Sequence, residues 1–165
     1  MNLKICKLNA NATVPTYAHG TDACFDLYAA TVDGMERLGG VLSHGSPVVC
    51  GTGLAFEVPE GYALMIYSRS GHGFKTNTRL ANCVGVIDCG YTGEVMVKLT
   101  MDDQFLENEL DLYIKPGDRI AQAMLVQVPR ITFEVVEQLS LTERGEQGFG
   151  STGQGGAAIA KAVQP

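Results

Sequence analysis

The chain predicts an all-β fold, an antiparallel sandwich or barrel in one domain, on three observations. Apolar runs are short and rich in β-branched and aromatic residues, turn signals separate them at close intervals, and no long stripe of helical period occurs. The 20 glycines of the 165 residues are dispersed among these runs, which suits many tight turns better than disorder. A mass of 17.6 kDa is that of a single domain with a sizeable core.

Taken in order, strands are expected over 3–8, 25–29, 47–50, 54–58, 62–68, 83–87, 94–100, 110–114, 120–128 and 131–139. The tripeptides Pro59-Glu60-Gly61 and Lys115-Pro116-Gly117 are turn signals between them. Residues 83–87 and 94–100 read as the arms of a β-hairpin whose turn contains Gly90 and Gly93. The acidic stretch 102–111 reads as a solvated loop with a short helical turn at most, and 154–165 as a flexible tail too short for a stable helix.

A net charge of −6 argues against direct nucleic-acid binding, and no apolar run reaches the ~20 residues of a membrane span. The N-terminal residues lack the apolar core of a signal peptide, so a cytoplasmic protein is expected, in the host cytoplasm if a virus encodes it. Five cysteines without a CxxC pair or a Cys/His cluster disfavour a disulfide framework and a structural metal.

Five islands carry isolated polar residues among small ones: ACFDLYAA (23–30), YSRSGHGFK (67–75), the hairpin NCVGVIDCGYTGEVMV (82–97), PGDRIAQ (116–122) and RGEQGFGSTG (144–153). Each has a plain structural reading. Asp26 is a backbone-capping aspartate, and Arg69 a surface arginine on an ordinary loop. Asp88 caps its own turn, Asp118 pairs with Arg119 or Arg69, and the last island frays. Each also has a chemical reading. Backbone N–H groups around Ser70, Gly71 and Gly73 converge as an anion nest with Arg69 adding donors. Asp26, on an apolar strand, requires a partner. Gln122 offers an uncharged donor, and Asp88 and Tyr91 stand at the hairpin tip. Gly148, Gly150 and Gly153 let residues 144–153 act as a lid with Phe149 as a stacking face.

In order and content the five islands resemble the five motifs of the homotrimeric dUTP pyrophosphatases (dUTPases), from residue 23 to residue 153. The resemblance implies a distorted jelly-roll, a dUTPase-like β-clip barrel. Residues 1–153 would form the domain, and the C-terminal segment would reach a neighbouring subunit of a homotrimer. It implies Mg²⁺-dependent hydrolysis of dUTP to dUMP and pyrophosphate, which limits uracil incorporation into DNA and supplies dUMP for dTTP synthesis.

By the same resemblance, Asp88 is the general base for a water attacking the α-phosphorus. Uracil is read by the hairpin through Gly85, Val86 and Met96 with help from Asn82, and Tyr91 lies against deoxyribose. Arg69, Ser70, Gly71 and Gln122 hold phosphates; Arg144, Ser151 and Thr152 hold the γ-phosphate, and Phe149 with Gly150 closes over the base. Mg²⁺ is bound through the triphosphate with no direct protein ligand, Asp26 acting through water. His72 stands where many relatives place an apolar residue and is assigned no chemistry. The alternatives are a dCTP deaminase of the same fold and a dUTP-responsive regulatory binding protein.

Overall fold

The computed structural model describes residues 1–102 and 111–146. The chain divides into two compact units, residues 1–130 and 131–165. The first holds every strand of the described residues: β1 (Lys4–Lys7), β2 (Phe25–Tyr28), β3 (Thr31–Val32), β4 (Gly40–Leu42), β5 (Val48–Gly51), β6 (Leu54–Glu57), β7 (Tyr62–Tyr67), β8 (Thr78–Leu80), β9 (Val84–Ile87), β10 (Met96–Met101), β11 (Leu112–Ile114) and β12 (Arg119–Gln127). One short helix, α1 (Ser70–Thr76), lies between β7 and β8. No described helix is long and apolar enough to cross a membrane.

Two four-stranded antiparallel sheets, ordered β3-β5-β10-β8 and β2-β12-β7-β9, and two smaller pairs, β1-β6 and β11-β4, make the distorted jelly-roll. Strand alternation buries one face of each sheet: Leu64 and Ile66 from β7, Leu27 from β2, Val97 and Leu99 from β10, and Val48 and Cys50 from β5 share one core. In β12 the adjacent Ile120 and Ala121 are both fully buried, and the pairing with β2 slips between Arg119 and Ala121. This bulge resets the register so that Gln122 stands opposite Asp26 on one side and Tyr67 on the other. Burial drives the Cys50 thiol up to about 12, with Asp33 and Asp118 adding to it, so it behaves as a small core hydrophobe.

Three expectations are corrected. The arms of the proposed hairpin do not pair with each other: β9 pairs with β7, and β10 with β5 and β8. The cause is a tether at the start of the second arm. The Val95 N–H donates to the Leu54 carbonyl, while the Thr52 N–H and hydroxyl both donate to the Val95 carbonyl, the latter at 2.7 Å. Regular pairing therefore begins at Met96, and the arms splay. Second, the loop expected after Ser68 is α1, which ends at Asn77 in the left-handed region (φ 48°). Third, residues 131–139 form no strand. Within that second unit Ile131, Phe133, Val135, Leu139 and Leu141 are 69–97% exposed, so the run has the alternation of a strand without the pairing of one among the described residues.

Sequence reading also omitted β3, β4 and β8, each two or three residues long, below the length at which periodicity shows. Most of the acidic stretch, residues 103–110, and Phe149, Gly150, Ser151 and Thr152 of the glycine-rich lid lie outside the described residues.

Candidate active site

The splayed arms enclose a slot. β9 is the outer strand of its sheet, and β8 covers β10 only from Leu99 onward, so no described strand pairs with the inner edges of Val84–Ile87 and Met96–Lys98, although the Lys98 carbonyl already accepts the Ala81 N–H and the Val84 N–H donates to the Asn82 carbonyl. Between them lies a cavity of about 450 Å³ lined by Ile66, Leu80, Asn82, Gly85, Val86, Met96 and Lys98 among others. Two backbone edges facing a narrow space offer N–H and C=O groups to a flat ligand. Gly85 keeps the slot open, since a Cβ there would lie 3.1 Å from the Ile66 Cβ. Asn82 is set at the mouth by a tight turn in which the Cys83 N–H donates to the Leu80 carbonyl and Cys83 takes φ 63°.

A second hollow, of about 280 Å³, shares Val86, Ile87 and Met96 with the slot and adds Asp88, Tyr91 and Glu94. The Tyr91 hydroxyl donates to the Glu94 carbonyl at 2.9 Å, which folds its ring over Gly93. Any Cβ on Gly93 would lie 2.7 Å from that hydroxyl oxygen, so the glycine is what lets the ring lie there. Glu94 in turn accepts the Gly53 N–H at 2.7 Å.

The Asp88 carboxylate is exposed and engages no donor among the described residues, so the cap that a turn aspartate ordinarily makes is absent. Other aspartates are committed: Asp22 accepts the His19 N–H, Asp33 the Val49 N–H and Asp118 the Lys115 N–H, and Asp102 holds Arg79. An idle, solvent-facing carboxylate beside a slot is free to take a proton.

The second cluster is a cradle of about 490 Å³ lined by Ser68, Arg69, Ser70, Gly73, Phe74, Asn77 and Gln122. Asp26, 13% exposed, receives the Arg69 Nε–H at 3.0 Å on one oxygen and faces the Arg119 Nε at 3.4 Å with the other. The guanidinium pairing expected of Asp118 thus falls to Asp26, because the β12 bulge and α1 bring both arginines over β2, while Asp118 closes its own turn. Gln122 donates one amide N–H to the Ser68 carbonyl at 2.8 Å, leaving the other unspent. The N–H groups of Ser70 and Gly71 open α1 and have no intrahelical acceptor. Gly71 has no positive φ, and open space surrounds its missing Cβ, so the fold does not demand glycine there.

Slot and cradle share no lining residue. Arg144 is exposed in the second unit, where the Gly145 N–H bonds back to Thr142. Among the described residues no three His, Cys, Asp or Glu side chains gather as a metal ligand set, and the five cysteines are free thiols.

Comparison with known proteins gives the family of the chain. A curated relative from Nautilia profundicola, named deoxyuridine 5'-triphosphate nucleotidohydrolase, is 42% identical over 93% of this chain and all of its own length. Among solved structures, a variant of the dUTPase of Staphylococcus bacteriophage 80alpha with dUpNHpp has a TM-score of 0.79 at 29% identity, covering 93% of this chain and 99% of that one. A variant of the dUTPase from phage phi11 of S. aureus, described as revealing the coordination of a structural Mg(II) ion, has a TM-score of 0.69 at 26% identity, covering 84% and 98%. With the model of the dUTPase family matching residues 10–153, the chain belongs to the dUTPase family.

Proposed function

We propose that the chain hydrolyses dUTP to dUMP and pyrophosphate, with the base in the slot, the triphosphate on the cradle and Asp88 as general base. The observation that carries this reading is the idle Asp88 carboxylate in a hollow that shares Val86, Ile87 and Met96 with a slot between two strand edges that no described strand covers. Uracil presents acceptor, donor and acceptor along one edge, which backbone groups of Val84–Ile87 and Met96–Lys98 can match. Cytosine changes two of the three, and each buried group left unpaired costs ~1–3 kcal/mol. Tyr91 lies against deoxyribose and leaves no room for a 2'-hydroxyl, and Asn82 contacts the base through water.

In the chemical step a water oxygen bonds to the α-phosphorus as its proton passes to Asp88. The bond from the α-phosphorus to the bridging oxygen breaks, and pyrophosphate leaves with that oxygen. Arg69, Ser70 and Gly71 hold the charge on the phosphates, and the unspent N–H of Gln122 serves the α-phosphate. The donor set fits a Mg²⁺ held by phosphate oxygens and water: Asp26, already turned to two arginines, would reach it only through water, and the ion would supply further charge neutralisation. Residues 1–153 act as the catalytic domain. Arg144, Phe149, Gly150, Ser151 and Thr152 close over bound substrate, leaving 154–165 as a tail.

The separation of slot and cradle and the exposed apolar run 131–141 support a homotrimer in which neighbours complete each site. Light scattering should give three times 17.6 kDa, and removal of residues 131–165 should abolish both trimer and turnover. A monomeric mass at assay concentration refutes this assembly. The activity itself is tested by pyrophosphate release with Mg²⁺ on dUTP, dCTP, dTTP and UTP offered singly. Release from dUTP alone, leaving dUMP, is expected. Conversion of dCTP to a uracil nucleotide would move the chain to the deaminase reaction, and dUTP binding without turnover would make it a binding protein.

A further inference from the structure

Within α1, directly after Ser70 and Gly71, stands a histidine that the proposed chemistry does not use. His72 is half-buried, and its Nδ1 is fully enclosed without a hydrogen-bond partner among the described residues. Its own carbonyl is heavily used: the Thr76 hydroxyl and the Asn77 N–H both donate to it, so the backbone that carries the ring is pinned by the end of the helix. The His72 and Gly73 N–H groups in turn both point at the Arg69 carbonyl, which ties the backbone carrying the ring to that of the arginine that Asp26 orients.

We propose that His72 is a positioning residue of the phosphate cradle: uncharged, it seats the first turn of α1 and Arg69 for the substrate's phosphates, and its protonation in mild acid unseats them. The proposal rests on the dUTP-hydrolysing reading of the cradle. An imidazolium would place a second N–H donor on an enclosed nitrogen that no acceptor meets, beside a guanidinium of like charge. Burial first, and then Arg69, hold the His72 pKa below the ordinary 6.5, with Asp118 opposing from the turn before β12. Of the other charged groups, Lys75 is exposed on α1 itself, and Arg79 on β8 is occupied by Asp102.

Well above pH 6.5 the ring is neutral in folded and unfolded chains alike. As the pH falls from 6.5 toward the lowered folded value, the unfolded chain takes up a proton that the folded chain refuses, so the seated state loses ground through that window. A charged ring that left its site would attract phosphate only as a solvated cation, whereas the cradle would lose the aligned donors of Arg69, Ser70 and Gly71. The net effect on substrate binding is therefore a loss.

The experiment compares wild type with His72→Leu by pyrophosphate release from dUTP at saturating Mg²⁺ between about pH 8 and pH 5.5, a range that spans histidine titration. Protonation of the nucleotide is common to both proteins and cancels in the ratio of their KM values. That ratio, wild type over variant, should rise at least about fivefold toward acid, with no matching change in the ratio of kcat. Superimposable KM profiles overturn the proposal. A second measurement needs no active variant: the ring resonances of the folded wild type, assigned through His19→Gln and His44→Gln, should show His72 titrating below 6.5. Titration at or above that value overturns the proposal as well. Absence of pyrophosphate release from wild type at every pH would instead refute the reading of the function, and the titration would still decide the state of the ring.

Discussion

Replacing Asp88 by Asn should lower kcat for dUTP by ~10²–10⁴-fold, the span of general-base assistance, while KM stays within about threefold of wild type. The side chain touches no described donor and faces solvent, so its loss removes no structural bond, and unfolding should shift by less than ~0.5 kcal/mol. That combination separates a base from a structural aspartate. Had Asp88 capped its turn as Asp22 and Asp118 do theirs, Asn would have cost stability and spared turnover. Single-turnover release of pyrophosphate, with a melting curve beside it, reads both quantities. Turnover within tenfold of wild type would remove Asp88 from the chemistry.

The legible parts of the molecule were those whose signal is local. Strands such as β7 and β12 announce themselves by apolar runs between turn residues, and their sequence bounds differ from the observed ones by a residue. Gly85 and Met96, which line the slot, lie in the island around Asp88 and Tyr91, which stands out in the sequence because it is dense in chemistry-bearing types. What failed was pairing. Two strands flanking a glycine turn look like a hairpin, and nothing near Gly90 or Gly93 reveals that Thr52 and Leu54, some forty residues earlier, take the backbone groups of Val95. The same holds for Asp26: its need for a partner was legible from its apolar neighbours, but the partner depends on a bulge at Arg119–Ala121 and on the course of α1. The run 131–139 was misread for a related reason, since alternation specifies a strand only where another edge meets it.

Removing the Asp26 carboxylate as Ala should lower stability by about 2–3 kcal/mol, or roughly 5–10 °C in Tm, and raise KM for dUTP at least about tenfold. Breaking a well-buried ion pair from one side costs 3–5 kcal/mol because the remaining charge is stranded; the 27% exposure of Arg69 lets water recover part of that. The rise in KM follows because the Nε–H bond to Asp26 is what turns the rest of the Arg69 guanidinium toward the cradle. Arg119 supplies the control. It lies 3.4 Å from the second oxygen, is half exposed, and stands 6.0 Å from the Tyr28 ring in a weak cation–π contact, so losing both in Arg119→Ala should cost under ~1 kcal/mol and leave KM within about twofold. If Asp26 acts through Arg69, the loss in Asp26→Ala persists when Mg²⁺ is raised to saturation, whereas an effect exerted solely through metal-bound water is repaired by added metal. Equal effects of the two substitutions would show that Arg69 is not what Asp26 positions, and restoration by Mg²⁺ would assign the carboxylate to the metal alone.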